Sequence, residues 1–118
     1  MYLNSYKELK VWQKSIKLVK EVYKITNQFP SNETYGLSIQ MRRAAISIPS
    51  NIAEGYLRKN LKEYSQFLRV SYSSSAELET QIIIAKDLYK KINYQKIEFL
   101  IEEVQKMLGA MIRKLENK

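Results

Sequence analysis

The chain can turn in very few places, because its 118 residues include only three Gly and two Pro. These are the residues that most readily end a helix or a strand, so the elements between them must be long. In a chain of this size, long elements are helices. The periodicity agrees: Leu9, Trp12, Ile16, Val19 and Tyr23 recur at three- and four-residue steps, with Val11, Leu18, Val22 and Ile25 as a second stripe beside them. Together they make an apolar face wider than one helical neighbour requires. Ser5 and Glu8 have the spacing of a capping box and predict that this first helix starts there.

Pro30 ends the pattern, since it supplies no helical N–H and disfavours the α region for Phe29. Ser31 or Asn32 is expected to cap a second helix, with Glu33 in its first turn and Leu37, Met41, Ala44, Ala45, Ile48 and Ile52 on its apolar side. Ala44 and Ala45 imply close approach of a neighbour. Pro49 predicts a kink or a lost hydrogen bond near Ala45 and Ile46, with Ser47, Ser50 and Asn51 placed to satisfy freed backbone groups, and Gly55 fits the helix end.

Asn60 and Glu63 form another capping pair. They open a third helix whose seam runs through Tyr64, Phe67, Ser71, Ser74, Leu78, Ile82, Ala85, Tyr89 and Ile92, about 45–50 Å in all. Ser71, Ser73, Ser74, Ser75 and Ala76 thin its middle, which suits either a close helix crossing or the bulk of Trp12 or a tyrosine opposite. Asn93 caps a last helix with a seam of Ile97, Leu100, Ile101, Val104, Met107, Leu108, Met111 and Leu115. Short connections between long neighbours imply antiparallel pairing. The expected fold is all-α, an up-down-up-down antiparallel four-helix bundle forming one domain over residues 1–118.

Cysteine and histidine are both absent. Disulfides, thiolate nucleophiles, Ser-His couples, His-bearing zinc sites and the Glu-x-x-His di-iron motif are therefore unavailable. Asn51 and Glu54 have the chemistry of an acid/base pair, but no nucleophile or metal-ligand cluster accompanies them. Glu77 and Glu79 fall on different faces of a helix and make poor joint metal ligands. The expectation is a non-enzymatic protein with no catalytic residues, metal or cofactor. The amino terminus lacks the apolar core of a secretory signal, and no run of about 18 apolar residues occurs, so a soluble cytoplasmic protein with no membrane partner is expected.

The formal net charge is +8 with a pI of about 9.6, which favours polyanionic partners such as RNA or DNA. Residues 1–60 carry ten Lys/Arg against four Asp/Glu (net +6), whereas 61–118 carry ten against eight (net +2). On the first helix Lys7, Lys10, Lys14, Lys17 and Lys24 follow at helical steps along one edge. Two readings fit them, a solvated lysine face or a strip for backbone phosphates whose binding is steeply salt-dependent. Arg42 and Arg43 stand about 100° apart on their helix, so they serve different contacts. One is expected to pair with Glu54 or Glu77 while the other faces outward, and either is a candidate phosphate contact. Tyr23, Tyr64 and Tyr89 sit on seams and are expected in the core rather than against bases.

The order VWQKSIKLVKEVYKIT, FPSNETYGLSIQMRRAAISIPSNIAEG, EYSQFLRVSYSSSAELET and MLGAMIRKL resembles the 23S rRNA intervening-sequence protein family over nearly the whole chain. The most specific part is Gln40-x-Arg42-Arg43-Ala44-Ala45 with Ser47-Ile48-x-x-Asn51-Ile52-Ala53-Glu54-Gly55. Members are often encoded within insertions in bacterial large-subunit ribosomal RNA genes and form ring-like homopentamers. They are similar in fold to the accessory proteins of diversity-generating retroelements, which bind nucleic acid and a reverse transcriptase. The resemblance thus implies a basic homopentamer that binds RNA or DNA, or alternatively an adaptor for a protein partner such as a reverse transcriptase. It also marks Gln40, Arg42, Arg43, Asn51, Glu54 and Glu77 as a structural or interface cluster. One departure stands out, Ser73 where the family usually has Gly, which puts in doubt any role needing bare backbone there.

Overall fold

The computed structural model describes residues 5–117, so the reading of the amino terminus rests partly on residues 1–4, outside the described residues. Four α-helices follow in order: α1 (Lys10–Thr26), α2 (Leu37–Tyr56), α3 (Leu61–Leu88) and α4 (Gln95–Glu116). α2 packs between α1 and α3, α4 packs on both α3 and α1, and the backbones of the diagonal pairs stay apart. Long-range bonds fix the directions, with Arg42 meeting Thr26, Ser47 meeting Ser74, and Lys86 meeting Glu98. Neighbours run antiparallel, and the result is the expected four-helix bundle. Its core takes Leu18, Val22 and Ile25 from α1, Met41, Ile48 and Ile52 from α2, Leu68, Leu78 and Ile82 from α3, and Ile97, Val104 and Leu108 from α4. Each such side chain contributes about 1.5–3 kcal/mol by leaving water. Of the two stripes on the first helix, Val11, Leu18, Val22 and Ile25 are core. Trp12 and Val19 are partly buried against that core, and Tyr23 is exposed.

Several helix ends differ from expectation. Ser5 accepts from Lys7 N, but the turn it caps is a short 3₁₀ helix, Tyr6–Glu8, and extended Leu9 (φ −71°, ψ 128°) separates it from α1. Pro30 likewise opens a 3₁₀ turn, Ser31–Glu33, rather than α2. Glu33 still serves α2, from outside, because its Oε1 accepts from Leu37 N at 3.1 Å while its other oxygen takes the Tyr89 hydroxyl. Tyr89 also packs on Phe29, with ring centroids 4.8 Å apart. One carboxylate thereby ties the α1–α2 connection to the end of α3. Asn60 caps α3 as expected, Glu63 N donating to Asn60 Oδ1 at 2.8 Å, while the reciprocal bond comes from the Asn60 side-chain amide and not its backbone, Nδ2 donating to Glu63 Oε2 at 2.9 Å. α3 ends at Leu88, about 42 Å from its start, so Tyr89 and Ile92 pack from the following turn. Asn93 Oδ1 accepts from Gln95 N at 2.9 Å as α4 begins.

The closest packing joins α2 to α3. Ser47 and Ser74 hydroxyls meet at 2.8 Å, and buried Ser71 donates to Ile48 O at 2.8 Å. The thin middle of α3 therefore serves a close crossing and not the bulk of Trp12. α2 runs unbroken through Pro49, which is buried. Asn51 Nδ2 donates to Ser47 O and Oγ, so this polar group bonds within its own turn and, through Ser47, to α3. Gly55 lies in the last turn of α2, which ends at Tyr56, but it is not a left-handed cap, since no described residue has a positive φ. A Cβ there would stand 2.7 Å from Phe67 Cβ and 3.1 Å from Tyr64 Cδ1, so the residue is small because α3 occupies the space. Ser73, by contrast, is exposed, and its hydroxymethyl costs no room.

Two outcomes follow. Gly55→Ala forces α2 and α3 apart and should destabilise the bundle by about 1–3 kcal/mol in urea unfolding, even though Ala is the better helix former; an unchanged or raised stability would refute the close-crossing account. The Tyr89 hydroxyl, and then Leu37 N–H, hold the Glu33 carboxyl below its ordinary value of 4.5. A carboxylate so shifted adds stability that is present above about 4.5 and lost as the pH falls through its lowered value. Glu33→Gln should therefore flatten the acid-side fall of the melting temperature. The same bond, first among its causes, pushes Tyr89 up to about 12, so stability present below pH 10 should be lost between pH 10 and about 12.

Candidate nucleic-acid interface

Position along α1 sorts the lysines. Lys7 lies before the helix, in the Tyr6–Glu8 turn. Lys14 reaches α4 and pairs with Glu103 at 3.0 Å, with about a third of its side chain exposed. Lys24 stands 4.0 Å from Glu21, which also takes Lys96 at 3.7 Å. Lys10 and Lys17 are exposed and form no ion pair among the described residues, and so does Lys20, which the sequence reading passed over. Lys20 is three residues after Lys17 and four before Lys24, so helical spacing alone places it on this edge. The strip that faces outward is Lys10, Lys17, Lys20 and Lys24, whereas Lys14 is neutralised.

The expected pairing of Arg42 or Arg43 with Glu54 or Glu77 does not form. Glu54 takes Arg58, four residues on, at 3.1 Å, and Glu77 is exposed with no ion pair among the described residues. A helical i,i+4 partner reaches Glu54 without crossing to another turn. Arg42 turns toward α1, where Nε donates to Thr26 Oγ1 at 2.9 Å and Nη2 to Asn27 Oδ1 at 2.8 Å. Its guanidinium lies 4.4 Å from the centroid of the Tyr23 ring, a cation–π contact that explains why Tyr23 is not core. Thr26 relays the bond by donating to Val22 O at 2.8 Å. These partners are all neutral, so Arg42 is held in place with its charge uncompensated. Arg43 points outward, exposed, as does Gln40.

The family-motif cluster is therefore dispersed. Gln40, Arg43 and Glu54 lie on the outer side of α2, Asn51 faces α3 through Ser47, Arg42 faces α1, and Glu77 lies on α3. Asn51 and Glu54 share no contact that would make them an acid/base pair. Among the described residues no three His, Cys, Asp or Glu side chains are placed to hold a metal ion, and no helix is long and apolar enough to cross a membrane.

Beside Arg42 the seam between α1 and α2 opens into a groove of about 330 Å³. Trp12, Ile16 and Val19 form one wall, Ile46, Pro49, Ser50 and Ala53 the other, and Tyr6 closes one end. This is where the surplus width of the first apolar face goes.

No curated protein matches the chain. Among solved structures, it is similar to a crystal structure of a protein with unknown function from the S23 ribosomal protein family of Bacteroides thetaiotaomicron VPI-5482. The TM-score is 0.78 at 19% identity, over 86% of this chain and 97% of the other. At that identity the likeness establishes the shared helical fold. The family model for the 23S rRNA-intervening sequence protein matches residues 7–110, and that span takes in α1 to α3 and most of α4, so the chain belongs to the 23S rRNA-intervening sequence protein family.

Proposed function

We propose that this protein is a non-enzymatic, cytoplasmic nucleic-acid-binding accessory protein that works on RNA as a homopentamer, reading charge and shape rather than base sequence. The observation that carries the reading is the set of uncompensated cations on the first two helices. Lys10, Lys17, Lys20, Arg42 and Arg43 form no ion pair among the described residues, and they lie in the half of the chain that carries net +6 against +2 for the rest. Such a set suits a phosphate backbone, because each phosphate neutralised by a free cation releases condensed counterions. The family's link to ribosomal RNA insertions supports RNA over DNA, and the pentamer rests on likeness to family members.

Fluorescence anisotropy against structured RNA tests the reading. With four phosphate contacts, affinity should fall about a hundredfold between 50 and 200 mM salt. Reversal of Lys10, Lys17 and Lys24 to Glu should abolish binding at the higher salt. Lys14→Ala, which removes an already neutralised charge, should change the salt slope far less. Binding that is weak, flat with salt and indifferent to the triple reversal would overturn nucleic-acid binding and favour a scaffold for a protein partner.

A further inference from the structure

Phe99, Lys106 and Arg113 recur at seven-residue steps and form one row along the outward side of α4. The row lies between the residues that meet α1, Lys96 and Glu103, and those that meet α3, Glu98 and Glu116. Phe99 is 61% exposed. Lys106 has only Glu102 of its own helix, 3.8 Å away with both side chains largely exposed, and Arg113 is exposed with no ion pair among the described residues. Across the seam, the pairs Lys14–Glu103 and Lys96–Glu21 fix the register of α1 against α4. Lys17, midway between Lys14 and Glu21, therefore stands level with Phe99.

At the other end of the row Tyr72 of α3, 44% exposed, joins Gly109, Arg113, Glu102, Gln105 and Lys106 in lining a cleft of about 300 Å³. Gly109 sits in the interior of α4, where glycine is less stable than alanine. Packing does not call for it. A Cβ there would meet only Arg113 Nη1 at 3.4 Å and Tyr72 Cε1 at 3.9 Å, ordinary contacts with side-chain ends, whereas at Gly55 it would strike Phe67 Cβ at 2.7 Å. Glycine at this point leaves open the space beside the Tyr72 ring and the Arg113 guanidinium. Both are planar groups on which an unstacked base can lie.

We propose that the outward face of α4 holds an unpaired strand of RNA, with one base stacked on Tyr72 and Arg113 over Gly109, another on Phe99, and phosphates against Lys106 and Lys17. Such a site rests on the proposed RNA binding and sets the form of RNA bound. The two stacking points are ten residues apart, about 15 Å along the helix, so one short strand reaches both. Every base has a π-face, and stacking therefore tolerates any sequence. Bases inside a duplex are already stacked on one another and offer Tyr72 and Phe99 nothing.

The test measures anisotropy at one fixed salt concentration for a labelled oligo(A) of about 12 nucleotides and for a blunt RNA duplex of the same length. Tyr72→Ala and Phe99→Ala should each lower oligo(A) affinity about tenfold while leaving duplex affinity and the salt slope unchanged, since no cation is lost. Tyr72→Phe keeps the ring and should bind as wild type. Gly109→Leu fills the cleft with a better helix former, so it should weaken oligo(A) binding while the melting temperature holds or rises, which separates the site from any effect on folding. Oligo(A) affinity unchanged in Tyr72→Ala, Phe99→Ala and Gly109→Leu would overturn the stacking site and leave charge-based RNA binding standing. Failure of the wild type to bind either RNA would overturn both.

Discussion

Everything in this bundle depends on how closely α2 and α3 approach. Gly55, Ala44, Ser47, Ser71 and Ser74 remove side-chain volume along one seam, and hydroxyls on it bond across the gap, Ser71 to Ile48 O and Ser47 to Ser74. With this pair packed tightly, Met41, Ile48 and Ile52 face the centre, where Leu68, Leu78 and Ile82 complete the layer. α1 and α4 then cover the remaining two sides. Small residues at the crossing also explain why a proline is tolerated inside α2. The helix is held from outside by its neighbour, so a lost internal hydrogen bond does not release it.

The same packing decides which polar groups are available. Glu33 is drawn into a bond with Tyr89 and the start of α2. Glu116 accepts from both Arg69 and Ser65, and Glu103 takes Lys14. The acids of the second half are largely engaged where helix ends and neighbouring helices meet. Beyond Lys14 and Lys24, which stand beside Glu103 and Glu21, the cations of α1 and α2 form no ion pair among the described residues, and Arg42 meets Thr26, Asn27 and Tyr23 in place of a carboxylate. Charge asymmetry in the sequence thereby becomes spatial asymmetry in the molecule.

The groove between α1 and α2 adds a second kind of unmet requirement. Trp12, Ile16 and Val19 continue the apolar face of α1 past the width that α2 covers, so aliphatic and aromatic surface stays in contact with water. A bundle gains nothing from that surface as a monomer. The first two helices thus present an apolar groove and a cationic edge on neighbouring sides.

Helix number, order and the capping of α3 were legible in the sequence, because periodicity and local hydrogen bonding are properties of residues a few positions apart. The wide apolar face of α1 and the surplus of positive charge in the first half were legible for the same reason. Tertiary structure decided everything that required knowing a neighbour. It made Gly55, in the last turn of α2, a point of contact with α3, paired Lys14 with Glu103, and placed Tyr23 under Arg42 rather than in the core. It also gave Glu54 to Arg58 and left Arg43 and Glu77 exposed and without ion pairs among the described residues. Spacing along a chain states which residues share a face, but only packing determines what that face meets, since a partner dozens of residues away leaves no local trace.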